Sequence, residues 1–564
     1  MCGISGIIGD NLNSNLLSKM IETQKHRGPD SSGKYVNEGV CLGHNRLSII
    51  DLSESANQPF IDDSERYVLV FNGEIYNYLE LKLELDYDFK TESDTEVLLA
   101  AYIKWGKDSL DKLNGMFSFA IWDKYEKKLF AARDRFGVKP FYYHFSGNTF
   151  YFASEIKTLH ATGIKKEPNK KVWANYFSFG SYGMPNETFW HLINQLPGGH
   201  YLEYSNNKLK IHKWYFFEER IKKHQNRYTY TEAKEKYIEL LKNSVKLRFR
   251  ADVPVGFNIS GGLDSSALLA FVNLEERKDK INAFTFFTDD ERYDELPWVK
   301  EMIALTKNPL QQVLFKADDV EAFSKNISFH QDEPFGGIPT LAYAKIFQES
   351  RKQGTLVLLD GQGMDEQWAG YDYYLNNTGN TIQGVKTSPF RNNVLSEDFK
   401  KNAEKPIYPK PFKEDLLNLQ YRDIFYTKIP RALRFNDRIS MAYSTELREP
   451  FLDYRLVEFA FAQPKEFKIK NGVQKKMLRE IVSEYLSDSI SYAPKRPLQT
   501  PQREWLGKEL KGFVTNEINV IEKSEFSNWF VLDELKKEHK NYLNGDNDSS
   551  FHIWQWINYN MLMS

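Results

Sequence analysis

The rhythm of the chain changes once, and that change dictates two separate cores. Before about residue 205, short apolar runs are broken by polar turns: 117–122 and 128–133 flank Asp123-Lys124-Tyr125, while 141–143 and 150–153 flank Ser146-Gly147-Asn148. Such spacing predicts successive antiparallel hairpins. Residues 67–71 run apolar into Asn72-Gly73, a pair that commonly closes a tight turn. Ser93, with Glu96 three residues on, predicts a capping box opening a helix that ends at Gly106. Beyond residue 230 strands and helices alternate instead. A helix over 231–250 leads to a strand at 255–259, a Gly-Gly turn, a helix from Ser265 and further apolar strands at 283–287 and 355–359. That alternation predicts a parallel α/β sheet.

A chain of 564 residues also exceeds what one hydrophobic core usually supports. The expected domains are 2–205 and 231–564, joined by a polar linker over 206–230, with a mobile excursion near 376–415 where Asn, Lys and Pro collect. Hydrophobic residues make up 41% and aromatics 15%, which excludes a disordered chain. Formal net charge is −2 with both signs interspersed, so neither nucleic acid nor an anionic membrane is an expected partner. Small molecules are. No apolar run approaches membrane-spanning length, and the two cysteines, Cys2 and Cys41, suit a reducing compartment. A cytoplasmic location is expected, with Cys41 as a buried structural residue.

Cys2 follows Met1 directly. Removal of Met1 would leave one residue bearing both a thiol and a free amine, and an amine of pKa roughly 7.7–8.0 can take the proton of a thiol near 8.5. Alone, the dipeptide carries little information. Three blocks give it weight: His26-Arg27-Gly28-Pro29-Asp30, Gly43 to Asp51, and Phe71-Asn72-Gly73-Glu74-Ile75-Tyr76-Asn77. In order and spacing they resemble the class II glutamine amidotransferase domain of glutamine-hydrolysing asparagine synthetases. Arg133 to Pro140 and Leu196 to His200 extend the resemblance over the whole first domain. It implies an N-terminal-nucleophile hydrolase αββα sandwich, with Cys2 attacking glutamine and the Asn72 side chain and Gly73 N–H forming the oxyanion hole. One such donor contributes about 3–4 kcal/mol to a transition state. Arg46 is expected on the substrate carboxylate, and Glu74 with Asp94 on its ammonium group. Each has an ordinary alternative: Asn72-Gly73 as a turn, Asp94 as a helix N-terminal charge, Arg46 as a surface cation.

In the second domain Ser260-Gly261-Gly262-Leu263-Asp264-Ser265-Ser266 follows an apolar strand and opens a helix. Consecutive glycines let amide groups and a helix N-terminus converge on an anion. The string resembles the pyrophosphate loop of ATP pyrophosphatases and lacks the Gly-Lys-Ser/Thr ending of a Walker A loop, which implies cleavage of ATP to AMP and pyrophosphate. Asn258, Phe286, Asp360 and Gly361 are the further expected nucleotide contacts. Asp264 and Asp365 are the expected Mg²⁺ ligands, a role suited to hard oxygen donors. Lys475 falls where the family uses a lysine on the phosphates and acyl-adenylate, with Lys476 as the alternative. The chain departs from the family at Gln362, where a glutamate is usual, and at Phe286-Phe287, where Val-Gly is usual. Gln362 marks the expected acceptor site.

The resemblance implies an ATP-dependent amidotransferase with an internal ammonia passage, aspartate as the default acceptor and asparagine as product; a homodimer is compatible with it. Gln362, Asp360 and Phe286 favour a second reading, amidation of another carboxylate such as a sugar acid of a polysaccharide. A relative that forms β-lactams would not need Cys2. A non-catalytic glutamine-binding regulator is the remaining alternative, opposed by the intact Cys2, Arg46, Asn72, Asp94, Asp264 and Asp365.

Overall fold

Alternating apolar residues give the first domain two sheets with one shared face. In the computed structural model, which describes all residues except 11, 275–280, 377–387, 494–499, 547 and 564, each sheet is antiparallel and six-stranded. One runs in the order Asn194–Gln195, Tyr142–Ser146, Thr149–Ala153, Gly3–Ile8, Val40–Arg46, Ser31–Asn37. The other runs Lys208–Lys213, His200–Ser205, Lys128–Arg133, Gly115–Asp123, Tyr67–Ile75, Phe60–Ile61. Ile4, Leu42 and Phe152 of the first meet Val70, Ala120 and Leu202 of the second in a sealed core. The outer faces carry helices. Leu17 and Met20 of Ser14–Thr23 cover Ile7 and Cys41, and Val97 and Leu98 of Asp94–Trp105 cover Phe71, Phe119 and Phe130. The result is the expected αββα sandwich, with Cys41 buried.

Several local expectations are corrected. Asn72 and Gly73 close no turn, because Tyr67–Ile75 runs straight through them and pairs with Gly115–Asp123 along its whole length. Ser93 does cap its helix, accepting from the Thr95 amide at 3.1 Å, but no capping box forms. Glu96 instead accepts from the amides of Lys90 and Thr91, fastening the preceding loop. The linker begins later than residue 206, since Lys208–Lys213 pairs with His200–Ser205 as the edge strand of the second sheet. Of the excursion at 376–415, residues 377–387 lie outside those described. Its later part is packed: Phe399 stacks on Trp529 with ring centroids 4.3 Å apart.

The second domain is built on a five-stranded parallel sheet in the order Leu310–Leu314, Ala283–Phe287, Val255–Asn258, Val357–Leu359, Glu446–Arg448. Helices cover both faces, as parallel strands require. Its leading helix, Tyr230–Leu247, opens on a capping box made by Thr229 and Glu232. Val255–Asn258 and Val357–Leu359 are adjacent, so the loops leaving their C-terminal ends lie side by side. One carries Gly261-Gly262 and enters helix Leu263–Val272; the other carries Asp360 to Gly363 and enters Met364–Gln367. Clefts outside the carboxyl ends of such strands are where ligands bind in open α/β sheets.

Candidate active sites

Cys2 lies one residue ahead of the central strand Gly3–Ile8, and Asn72 is held in the middle of a strand of the facing sheet. The Cys2 amide donates to Asn72 Oδ1 at 3.0 Å, and Arg27 Nε donates to the Cys2 carbonyl at 3.0 Å. With its oxygen engaged, Asn72 keeps a buried Nδ2 that has no hydrogen-bond partner among the described residues. A buried unpaired donor is costly, and its presence beside a thiol suits an oxyanion that forms only during reaction. Gly73 is fixed by space. A Cβ there would lie 2.1 Å from the Met116 carbonyl oxygen and 2.7 Å from Phe117 Cα.

Next to Cys2 is an acidic recess. The Met1 ammonium is fully buried there and pairs with Glu446 at 2.9 Å. Burial alone would lower its pKa, but Glu446, Cys2 and Glu74 together raise it. Burial pushes Asp94 up to about 6 and Glu74 well above the carboxylate range, the latter helped by Glu446. Burial works against Glu446 too, yet Arg448 and the Met1 ammonium hold it down at about 2. Glu74, Asp94 and Glu446 thus gather about the Met1 ammonium, with Arg448 contacting Glu446 and lying 3.5 Å from Glu74, and this acid-rich recess suits an ammonium group. Asp94 is aimed by the Ile75 amide, which donates to it at 2.8 Å. Burial raises the Cys2 thiol, opposed by the Met1 ammonium, the Leu47 amide and Arg46. Arg46 itself is clasped by main-chain oxygens: it donates to the carbonyls of Ser53 at 2.7 Å and Asp51, and to Asn57 Oδ1 at 2.9 Å.

In the second domain Lys475 joins two of the residues expected at the phosphates. Its Nζ lies 2.5 Å from Asp264 Oδ1 and 2.6 Å from Asp365 Oδ1, and the carboxylates keep the buried ammonium charged against the pull of burial. Lys475 adopts φ +54, a left-handed conformation that turns it inward just before helix Lys476–Val482. Lys476 faces elsewhere, pairing with Glu480 at 3.3 Å and lying 3.9 Å from the Tyr230 ring centroid. A Cβ on Gly370 would sit 2.0 Å from Asp365 Oδ1 and 2.2 Å from Lys475 Cε, so the close approach depends on that glycine.

The Gly-Gly loop is braced from within. Ser265 Oγ donates to the Ser260 carbonyl at 2.7 Å and accepts from the Ser260 amide at 3.1 Å, while Ser266 Oγ donates to the Gly262 carbonyl at 2.8 Å. The Gly261 amide donates to Glu295 at 3.2 Å, so an anion arriving there must displace a carboxylate. Asn258 Nδ2 meets the Tyr343 hydroxyl at 2.5 Å, and that hydroxyl donates to Asp360 Oδ2 at 2.7 Å. Asp360 Oδ1 accepts from the Gly361 amide at 2.7 Å. The Phe286 ring is packed into the core, leaving its main chain as the part available to a nucleotide. Gln362 is half-buried, and its side chain forms no hydrogen bond with the described residues.

Residues 1–215 match the family model described as a glutamine amidotransferase domain, and residues 236–564 match the one described as asparagine synthase. The chain belongs to the asparagine synthase family. It is 30% identical over 618 residues to asparagine synthetase [glutamine-hydrolyzing] 1 of Bacillus subtilis, covering 98% of this chain and 95% of that one. It is 37% identical over 402 residues to a putative asparagine synthetase [glutamine-hydrolyzing] 2 of Methanocaldococcus jannaschii, covering 67% of this chain and 76% of that one. Amidase chry2 of Gibberella zeae is 26% identical over 633 residues, covering 94% and 93%. As an asparagine synthase family member with a glutamine amidotransferase domain, the chain implies ATP, glutamine and a carboxylate as reactants.

Sequence reasoning about this asparagine synthase family chain missed the residues that join its domains. Arg27 donates to Asp437 through Nη1 at 2.9 Å and Nη2 at 3.1 Å, and to Glu155 at 3.0 Å, all buried. Glu446, Arg448 and Tyr343 were equally without an assigned role. Arg27 lies inside the His26–Asp30 block that matches the family, and that match is the only sequence signal it carries. Among the described residues no group of three metal-ligating side chains exists and no helix is long and apolar enough to cross a membrane.

Proposed function

We propose that this chain hydrolyses glutamine at Cys2 and uses the ammonia to amidate a carboxylate activated with ATP. In the first half-reaction the Cys2 thiolate attacks the glutamine amide carbon, the carbonyl oxygen gains charge beside Asn72 Nδ2 and the Gly73 N–H, and ammonia leaves. Water then releases glutamate. Once Met1 is removed, the amine of Cys2 takes the thiol proton, and the recess formed by Glu74, Asp94 and Glu446 is free for the ammonium group of glutamine. Arg46 would hold the glutamine carboxylate after exchanging its present carbonyl partners.

In the second half-reaction a carboxylate oxygen attacks the α-phosphorus of ATP, expelling pyrophosphate, and ammonia displaces AMP from the mixed anhydride with loss of one proton. The Gly261-Gly262 loop and the start of helix Leu263–Val272 supply amides for the phosphates. Lys475 neutralises charge developing between the α- and β-phosphates. Asp264 and Asp365 fit Mg²⁺: two hard carboxylates already share a cation, and substrate phosphates would complete the coordination. The metal would neutralise the leaving pyrophosphate.

The pairing of Cys2 with Asn72, whose buried Nδ2 has no partner among the described residues, carries this reading. For the acceptor, the relatives named asparagine synthetase point to aspartate, with asparagine as product. Gln362, without a hydrogen-bond partner among the described residues and standing where the family has a glutamate, favours a second reading in which another carboxylate is amidated. Cys2→Ala tests the division of labour. Synthesis from glutamine should be lost and synthesis from ammonium chloride retained; unchanged glutamine-dependent synthesis would refute the assignment.

A further inference from the structure

Two cavities share Arg431, and one of them reaches the synthetase site through Tyr343. The first, about 310 Å³, is walled by Tyr343, whose hydroxyl is bound to Asp360 and Asn258, and by Phe335, Phe435, Trp554 and the Gly336-Gly337 turn. The turn is bare by necessity. A Cβ on Gly336 would lie 2.9 Å from the Phe435 ring, and one on Gly337 would lie 2.3 Å from Gln502 Oε1. The second cavity, about 260 Å³, opens between the domains and is edged by Arg133, Arg135, Lys428, Arg431 and Arg434. Tyr182, Arg431 and Phe551 form the wall common to both.

Charge decides what these spaces suit. Among the described residues neither lining contains an aspartate or glutamate, so neither offers an ammonium group a partner. Arg434 is already neutralised by Glu333 at 2.9 Å, and Arg133 and Arg135 are spent on main-chain carbonyls. Arg431 has no hydrogen bond or ion pair with a described residue; its guanidinium lies 5.6 Å from the Tyr182 ring centroid. A half-buried guanidinium at the junction of an aromatic chamber and a basic one is suited to a phosphoryl or carboxylate group. The aromatic chamber is of the size that holds ligands much bulkier than an amino acid, for which about 300 Å³ is a lower bound.

We propose that the acceptor is a carboxylic acid without an ammonium group, carrying a second, phosphoryl-type anion. Its reacting carboxylate lies at the Tyr343 end of the aromatic chamber, its body among Phe335, Phe435 and Trp554, and its anionic end at Arg431. This rests on the ATP-dependent amidation proposed above and names its substrate class.

The test uses the full chain with its nucleotide site filled by a non-hydrolysable ATP analogue and Mg²⁺, and measures binding of UDP-glucuronic acid, free glucuronic acid and aspartate by calorimetry. UDP-glucuronic acid should bind at least 10-fold tighter than either comparator. Arg431→Ala should weaken it at least 10-fold and Arg431→Lys less, while glutaminase activity at Cys2 stays at the wild-type level and reports an intact fold. Failure of UDP-glucuronic acid to bind, or binding indifferent to Arg431→Ala, overturns the proposal. Formation of AMP and asparagine from aspartate, with a KM untouched by Arg431→Ala, also overturns it and leaves the amidotransferase reading standing. Absence of AMP with every acceptor, in a parallel assay with ATP, would instead count against adenylation itself and remove the ground for both.

Discussion

Arg27 and Asp437, 410 residues apart, form a bidentate buried ion pair across the domain boundary, and the same guanidinium holds the Cys2 carbonyl. The thiol of one domain is therefore positioned by a residue anchored in the other. Glu155 adds a second carboxylate, so the arginine stays charged despite burial.

Removing one partner of such a pair leaves the other buried and uncompensated, at a cost of about 3–5 kcal/mol. Arg27→Met should lower stability by that order in urea denaturation. Asp437→Leu added to it should cost much less than the sum of the two single changes. Additive losses would show that the pair does not couple the domains.

If Asp94 holds the ammonium end of glutamine as proposed, it sets a pH limit on glutamine binding. Burial raises its pKa to about 6, so it is ionised above that pH and protonated below it. Its attraction for the ammonium end of glutamine is present above pH 6 and fades as pH falls through that value. The KM for glutamine should rise below pH 6 while kcat changes less, and Asp94→Asn should raise KM about 10-fold and flatten the profile. A KM independent of pH between 5 and 7 would contradict this role.

Gly370 offers a separation of the two activities. A methyl group there collides with both Asp365 and Lys475. Gly370→Ala should reduce acceptor-dependent AMP formation at least 100-fold, whereas glutamine hydrolysis at Cys2 should persist. Equal loss of both activities, measured as glutamate and AMP release, would mean that the substitution acts through the fold.

The two-part division, the hairpins of the first domain and the parallel sheet of the second were legible in the chain because periodicity reports which face is buried, whereas the sandwich was implied only by the resemblance that the blocks behind Cys2 carry. Asn72 and Gly73 were assigned to an oxyanion hole yet misplaced in local structure. Their turn chemistry is a local preference, and the pairing of nine residues with Gly115–Asp123 overrides it. Glu96 illustrates the same limit, since the capping-box spacing is present but its carboxylate finds better donors in Lys90 and Thr91. Lys208–Lys213 looked like linker because an edge strand exposed to water is polar. Arg27 with Asp437, and Tyr343 with Asp360, were illegible for a different reason: no spacing rule joins side chains that only the completed fold brings together.

The most direct test supplies the processed enzyme with ATP, Mg²⁺, an acceptor carboxylate and glutamine labelled with ¹⁵N at the amide, and follows all products by mass spectrometry. The account predicts that the label appears in the acceptor's new amide, with one AMP and one pyrophosphate formed per amide. Release of ADP and orthophosphate, or an unlabelled product in the presence of labelled glutamine, would contradict it.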